Sequence, residues 1–236
     1  MTAAPEKATA TGRAWAALST VRDPELDEPI TDLGFVADTA VTGTEIRVRL
    51  RLPTYFCAPN FAYLMVADAR DALRALGEFD TVDVRLVDHF AAGEINAGVA
   101  ADSGFTGTFT GEAEEELDEL RRTFRRKAHL ACLERACRGL VAHGWRVDAL
   151  AGMTLGELPD SPERERLLRR RAEAGLPTGP DEALFVTDDG APVPADEVAS
   201  RLEFARAVRV SVDGNAGWCR GLLATRYPRA EREDVS

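Results

Sequence analysis

Apolar residues in the first third of the chain change from helical to alternating spacing. Residues 12–21 (GRAWAALSTV) carry apolar positions at helical spacing, and Pro24 ends this helix because the residue before a proline is pushed out of the helical region. Residues 34–52 alternate with period two around a Thr-Gly-Thr turn at 42–44. This pattern predicts a β-hairpin with one buried face and one arginine-rich face in solvent.

A helix and a third strand follow the hairpin. Residues 61–76 repeat apolar positions at helical spacing, and residues 81–87 (TVDVRLV) alternate again. A strand, a helix and a further strand form a crossover that packs right-handed. The order α-β-β-α-β predicts a small two-layer domain over residues 12–90, preceded by a disordered tail at residues 1–11.

The second half of the chain has a different pattern. Residues 91–111 are rich in Gly, Ala and Thr without periodicity, which is typical of a domain linker or a functional loop. Residues 112–236 predict a mainly helical C-terminal domain, so the fold class is α+β. The expected elements there are a long helix ending near Gly144, a helix at 161–174, a short strand at 183–186, a helix at 195–206, a strand at 208–212 and a final helix.

Charge and composition exclude several classes of function. The 236 residues carry a net charge of −11, whereas a general nucleic-acid binder needs a concentrated basic surface. The sequence has no apolar run long enough for a transmembrane helix, and its first ten residues lack the apolar core of a signal peptide. We therefore expect a cytoplasmic protein with no membrane or nucleic-acid partner, whose four cysteines are thiols or ligands rather than disulfides.

Most familiar catalytic motifs are missing from the sequence. It contains no P-loop, no GxGxxG after a strand, no GxSxG and no HExxH. Cys132 and Cys137 lie five residues apart on one predicted helix and do not share a face, so burial as small apolar residues is favoured over a metal site. His129 and His143 are likewise isolated.

The stretch RLPTYFCAPN at residues 51–60 carries the first candidate for chemistry. Cys57 lies between the end of a predicted strand and the start of a predicted helix. A thiol there faces unpaired backbone N–H groups that favour the thiolate. Thiolate is the form that binds metals and attacks electrophiles. A buried structural cysteine is the alternative. Asp23 and Asp32 are expected at the loop end of the same unit, and His89 is a weaker candidate for a ligand.

A second cysteine has a similar sequence setting near the end of the chain. Cys219 lies in DGNAGWCRG, close to the start of the predicted final helix. Cys57 and Cys219 would share a metal or a cluster if the two halves of the chain packed face to face. The alternative is that Cys219 simply packs beside Trp218.

Four motifs in the first hundred residues occur together in one known family. They are Asp23-Pro24-Glu25, Asp32-Leu33-Gly34 leading into the hairpin, Thr54-x-x-Cys57 at the strand end, and the valine-rich third strand. Their order and spacing resemble the metal–sulfur cluster biosynthesis domain family that includes SufT and PaaD. The chain departs from that family at Cys57-Ala58-Pro59, where the proline usually follows the cysteine directly, and in the loop after the third strand.

The resemblance implies a compact α/β fold and a role in assembling or inserting iron–sulfur clusters. It implies functional roles for Asp23, Glu25, Thr54 and Cys57, with iron or an iron–sulfur cluster as a transient cofactor. The longer chain is similar to accessory factors of bacterial multicomponent di-iron monooxygenases, which makes a metalloenzyme hydroxylase the expected client.

Several hypotheses of function follow from these observations. The leading one is a non-catalytic maturation factor, and the second is a dedicated chaperone that holds an immature client subunit without a metal of its own. A thiol enzyme would need a base near Cys57, and the histidines show no pattern that supplies one. The segment LFVTDDGAPVP is loosely similar to tyrosine recombinases, but their catalytic Arg/His set is missing. A homodimer is compatible with each of these hypotheses.

Overall fold

The structure, a computed structural model, describes residues 9–109 and 117–228. Residues 1–8 of the predicted tail and residues 110–116 lie outside the described residues. The elements in chain order are α1 (Ala10–Leu18), β1 (Val36–Thr42), β2 (Glu45–Leu50), α2 (Pro59–Arg74), β3 (Thr81–Leu86), α3 (Ala92–Ala100), α4 (Gly104–Thr108), α5 (Asp118–Ala142), α6 (Pro162–Glu173) and α7 (Val198–Arg226). This is the predicted α+β class.

Two compact units make up the described chain. The first contains residues up to Leu117 together with those from Asn215 onward, and the second contains Asp118–Gly214. The final residues, which the sequence placed in the C-terminal domain, therefore belong to the first unit, and α7 contributes residues to both. No helix in the described ranges is long and apolar enough to cross a membrane.

The sheet of the first unit confirms the predicted hairpin and crossover. Strand β2 lies in the middle, pairs antiparallel with β1 and parallel with β3, and is joined to β3 through α2. Ile46, Val48 and Leu50 of β2 are buried, while Arg47 and Arg49 between them are exposed. Helices α1 and α2 pack over this apolar face. Hence the arginine row lies in solvent, as the alternation predicts.

Two local details in the first unit differ from the sequence prediction. Helix α1 begins at Ala10 because the Thr9 hydroxyl accepts a hydrogen bond from the Gly12 N–H at 3.1 Å and caps the helix. In β1 the pairing register shifts between Val36 and Asp38, which is a β-bulge. Ala37 is therefore exposed, although simple alternation predicts it on the buried face.

Residues 91–111 were predicted to be a domain linker or a functional loop, but helices α3 and α4 form in the described part of this segment. Ile95 and Val99 are buried and supply the apolar stripe of α3. A Cβ at Gly98 would lie 1.9 Å from the Thr108 hydroxyl, so only glycine permits α4 to pack this closely. Small residues thus allow the packing while removing the hydrophobic periodicity that would have predicted it.

The second unit is built on α5 and α6, as predicted. Ser161 caps α6 by accepting a hydrogen bond from the Arg164 N–H at 3.2 Å. The predicted short strand at 183–186 was wrong: the segment makes only isolated bridges, Thr154 to Ala183 and Val186 to Pro192. The buried core combines α5 and α6 with this segment and includes Leu133, Cys137, Leu140, Leu150, Leu167, Leu184, Phe185 and Val198.

The predicted helix–strand–helix order at the end of the chain was also wrong, because α7 runs without a break over 29 residues. Val208, Val210 and Val212 alternate with polar residues, which indicated a strand. The buried positions of the helix follow a different repeat: Ala205, Val212, Ala216 and Leu223 are seven, four and seven residues apart. That spacing is helical, so burial of one face of α7 overrides the local β-like alternation.

Candidate thiol site

Cys57 lies in the short connection between β2 and α2, directly before Ala58, which precedes the first turn of α2. Its sulfur lies 3.3 Å from the Thr54 hydroxyl, within hydrogen-bond reach. The same hydroxyl accepts a weak hydrogen bond from the Phe56 N–H at 3.3 Å. The thiol is partly exposed. The Thr54-x-x-Cys57 spacing therefore folds into a turn that gives the sulfur a polar neighbour and access to solvent.

His89 holds the backbone of this turn in place. Its Nε2 lies 2.7 Å from the carbonyl oxygen of Cys57, and its Nδ1 accepts the N–H of Ala91 at 3.2 Å. These partners fix the neutral tautomer with the proton on Nε2. Burial lowers the pKa of His89, and the Arg226 guanidinium acts in the same direction. With both ring nitrogens engaged, His89 positions the Cys57 loop rather than offering a free lone pair to a metal.

Asp23 folds the acidic motif into a compact turn. Its Oδ1 accepts hydrogen bonds from the N–H groups of Glu25 at 2.9 Å and Leu26 at 2.8 Å. The side chain is 7 % exposed. Burial raises the pKa of Asp23 to about 6, against the lowering effect of the two backbone hydrogen bonds. A carboxylate is thus kept beside the site even though burial disfavours its charge.

The last turns of α7 bring Cys219 to the same end of the first unit. Four residues before the cysteine, the Asn215 amide donates to a carboxylate oxygen of Glu25 at 3.1 Å. Directly after it, Arg220 forms an ion pair with Glu28. Seven residues after it, Arg226 donates to the Leu52 carbonyl oxygen at 3.1 Å. Contacts on either side of Cys219 therefore join α7 to the loop of Asp23 and Glu25 and to the loop that carries Cys57.

The electrostatic surroundings of Cys219 show which groups it faces. Burial is the main reason that the pKa of Cys219 is raised to about 11, and electrostatic interactions with Asp23, Cys57 and Glu25 add to the effect in that order. The expectation of a thiol near a helix start was wrong, because Cys219 lies inside α7 rather than at its N-terminus. Its proximity to Cys57 arises within one unit, and no packing between the two halves of the chain is needed.

Gly34 permits the close approach of α7 to the hairpin. It has a φ of +75°, and a Cβ there would lie 3.2 Å from a methyl carbon of Leu223. Both the backbone conformation and the space favour glycine. The glycine of the Asp32-Leu33-Gly34 motif thus has a structural reason, since it lets the helix carrying Cys219 lie against the start of β1.

The remaining predicted residues have separate positions. Asp32 is exposed, and its Oδ1 accepts a hydrogen bond from the Thr31 hydroxyl at 3.2 Å. Among the described residues, the neighbours of the two thiols do not include Asp32. Cys132 and Cys137 are buried in the second unit, as predicted, and burial raises the pKa of Cys137 to about 12. Across residues 9–109 and 117–228, no group of three His, Cys, Asp or Glu side chains is arranged to hold a metal ion.

Exposed aromatic rings lie beside both thiols, and the sequence analysis did not predict them. Phe56 is 77 % exposed, and its ring centroid lies 5.0 Å from that of Tyr55 and 6.0 Å from that of Phe90. Trp218, the chain neighbour of Cys219, is 71 % exposed. The adjacency of Phe56 to Cys57 and of Trp218 to Cys219 was a signal available in the sequence. We call Tyr55, Phe56, Phe90 and Trp218 the aromatic rim.

Residues 13–86 match the family model described as iron-sulfur cluster assembly protein. This match supports the family, and with it a role in iron–sulfur cluster assembly. The matched segment contains Asp23, Glu25, Thr54 and Cys57, whereas Cys219 and the second unit lie outside it. No curated protein and no solved structure gives a significant match to the chain.

Residues of the matched segment also line a separate cavity of about 670 Å³ at the edge of β3. Its lining includes three arginines, and each has an acidic partner: Arg47 pairs with Glu45, Arg85 with Asp83, and Arg70 with Asp102. Because these cations are already paired, none of them is left to attract an anionic ligand. The thiol pair is the stronger candidate.

Proposed function

We propose that this chain is a maturation factor for iron–sulfur clusters or related metallocentres, which binds or transfers iron or sulfur through Cys57 and docks on a client metalloenzyme. The observation that carries the proposal is the position of Cys57: a partly exposed thiol 3.3 Å from a hydroxyl, inside a segment that matches iron–sulfur cluster assembly proteins. Iron and its sulfide clusters are cargo in this role.

The donor set suits that cargo. Soft thiolate ligands favour iron–sulfur units over hard cations such as Mg²⁺ or Ca²⁺, which prefer oxygen. Cys219 is the second thiol we assign to the cargo, since α7 carries it to the loops that hold Cys57 and Asp23. Thr54 and His89 support the Cys57 loop by hydrogen bonding, whereas the charges of Asp23 and Glu25 raise the pKa of Cys219 and so favour its protonated thiol until iron binds.

The identity of the client is the finer part of the proposal. The likeness to SufT and PaaD, and to accessory factors of di-iron monooxygenases, makes a monooxygenase subunit the client we propose. The aromatic rim suits a docking surface, because exposed aromatic side chains are the anchors that protein interfaces use most. Tyr55, Phe56 and Trp218 of the rim lie within two residues of a cargo thiol in the chain, so a client bound there would meet the cargo directly.

Anaerobic purification with assay of iron and acid-labile sulfide tests the proposal. We expect both in the wild-type protein, a loss of most of both in Cys57→Ser, and a smaller or equal loss in Cys219→Ser. Cys132→Ala is the matched control, since it removes a buried thiol of the second unit and leaves the cargo unchanged. Wild-type protein without iron or sulfide, together with a Cys57→Ser variant that still matures its client, would contradict the role of Cys57.

A dedicated chaperone without metal is the second candidate, and the exposed aromatic rim favours it equally. This reading predicts that client binding survives Cys57→Ser and Cys219→Ser but is weakened by Phe56→Ser and Trp218→Ser. Co-purification of a tagged chain with the monooxygenase subunits distinguishes the two functions. If the thiol variants lose client activation while retaining client binding, the cargo role holds and the pure chaperone role is excluded.

A further inference from the structure

Cys57 and Cys219 form half of the ligand set that iron–sulfur clusters use. Clusters of the 2Fe–2S and 4Fe–4S types are normally held by four cysteine thiolates. The other two cysteines, Cys132 and Cys137, are buried in the core of the second unit. No group of three suitable side chains for a metal exists in the described chain. A cluster at this site therefore needs two more ligands from another molecule.

Several polar groups around the thiols have hydrogen-bond or ion-pair partners within the chain. Glu25 accepts a hydrogen bond from Asn215, and Glu28 is paired with Arg220. Arg226 donates to the backbone carbonyl oxygens of Leu52 at 3.1 Å and Asp88 at 2.5 Å. Although the chain carries a net charge of −11, the paired Glu28 and Arg220 add no net charge to this part of the surface.

The aromatic rim supplies a contact surface beside both thiols. Phe56 and Trp218 are the chain neighbours of Cys57 and Cys219, and each exposes more than two thirds of its surface. Aromatic side chains are enriched in protein interfaces and dominate their binding energy. In a two-fold contact the same patch of each copy meets its counterpart, so one exposed patch is sufficient.

We propose that two copies of this chain share one 2Fe–2S cluster, with Cys57 and Cys219 of each copy as the ligands and the aromatic rim as the contact. The inference rests on the proposed function and names its cargo and completing partner. Delivery is a ligand exchange without oxidation. Four protein thiols replace the four thiolates of an incoming complex, so four iron–thiolate bonds break and four form. Each protein thiol passes its proton to a departing thiolate.

Titration with a glutathione-ligated 2Fe–2S complex under anaerobic conditions tests this, with iron, sulfide and mass determined together. We expect one iron and one sulfide per chain, and a loaded species of twice the 25.6 kDa of one chain. Cys57→Ser and Cys219→Ser should each abolish the doubling of mass, and Cys137→Ala should not. A chelator should return the protein to the mass it had before loading.

The possible results separate the inference from the proposed function. Iron and sulfide bound to a species of unchanged mass would overturn the shared cluster and leave the maturation role intact. No bound iron at any mass would overturn both. Doubling of mass that persists in both thiol variants would show a dimer that does not depend on the cluster, and would also overturn the inference.

Variants of the aromatic rim test the contact between the two copies without changing the thiol ligands. Phe56→Ser and Trp218→Ser keep all four ligands, and we expect them to weaken the loaded dimer at least tenfold in dissociation constant. Both side chains are largely exposed, so folding should be retained. Trp15→Ser is the matched control, because Trp15 is also exposed but lies outside the rim. An equal effect of all three variants would argue against a contact at the rim.

Discussion

The first unit buries an acid and the second unit buries a base, and burial moves the two pKa values in opposite directions. It raises the pKa of Asp23 to about 6 and lowers the pKa of His129 to about 4. In both, burial disfavours the charged form. Their partners differ: Asp23 accepts two backbone hydrogen bonds, whereas Nε2 of His129 has no hydrogen-bond partner in the described structure.

The difference distinguishes the candidate thiol site from a buried core. At neutral pH a buried, ionised Asp23 lowers the stability of the first unit, yet it lies where its charge acts on Cys219. His129 is neutral at that pH, and the Arg171 and Arg201 guanidinium groups help to keep it so, while Asp188 opposes them. We read the first arrangement as a functional feature and the second as a structural one. Four predictions test this contrast.

The largest expected effect is in the second unit, at Arg171. Its guanidinium is fully buried and donates to the carbonyl oxygens of Leu184 at 3.1 Å and Ala183 at 2.9 Å. Arg171→Met leaves these oxygens without a donor, and we expect a loss of about 3 kcal/mol in the free energy of unfolding. Denaturant titration measures it, and the exposed Arg169→Met is the control. If Arg171→Met lost iron binding without losing stability, the second unit would have a functional role, which would contradict the contrast between the two units.

Acid titration of His129 gives an effect of similar size. The pKa of this histidine lies below its unfolded value of 6.5, so the unfolded state binds more protons between pH 6.5 and 4. Its contribution to stability is complete above pH 6.5 and falls by about 1.4 kcal/mol per pH unit as the pH drops to 4.

Denaturant titrations between pH 7 and pH 4 measure this slope. His129→Leu should flatten it, whereas His143→Leu, at an exposed histidine, should leave it unchanged. A wild-type slope that persists in His129→Leu would show that another group titrates.

Asp23 should show the opposite pH dependence. Its folded pKa of about 6 lies above its unfolded value of 3.8, so the folded state binds the extra proton and this group adds stability as the pH falls from 6 to 3.8. Asp23→Asn keeps an oxygen acceptor for both backbone N–H groups, and we expect a gain of about 2 kcal/mol at pH 7.

The same variant should lower the pKa of Cys219, which the pH profile of thiol alkylation measures. Asp32→Asn is the matched control, since Asp32 is exposed. If Asp23→Asn destabilises the protein at pH 7, the hydrogen bonds of the ionised carboxylate stabilise the fold by more than the burial of its charge destabilises it.

The smallest expected effect is at Glu25. Glu25→Gln keeps an acceptor for the Asn215 amide and removes a charge that raises the pKa of Cys219 less than Asp23 does. We expect stability within about 0.5 kcal/mol of wild type, as for most surface changes, and a fall in the alkylation pKa smaller than that in Asp23→Asn. If the alkylation pKa falls further in Glu25→Gln than in Asp23→Asn, Glu25 rather than Asp23 has the larger effect on the pKa of Cys219.

Parts of the site could be predicted from sequence because they are local. The Thr54-x-x-Cys57 turn follows from a strand that ends and a helix that begins within a few residues, and both have strong periodic patterns. The turn at Asp23 likewise depends on an aspartate that accepts hydrogen bonds from the next residues in the chain.

Other parts could not be predicted because they depend on which surface covers them. The small residues of α3 show little periodicity, and their helix is supported by α4 and by Asn96, whose amide oxygen accepts the Leu86 N–H at 2.8 Å. In α7, alternating valines favoured a strand locally, and only burial of the face that carries Ala205, Val212 and Ala216 selects the helix.

The sequence by itself determined the hairpin, the crossover helix and the placing of Cys57 between them, since each depends on side-chain periods and on residues close in the chain. Tertiary structure alone decided that Cys219 joins Cys57. The two lie 162 positions apart in the sequence, and their meeting depends on one continuous helix, on Gly34 leaving room for Leu223, and on the contact between Asn215 and Glu25. Contacts at that separation leave no periodic trace in either segment.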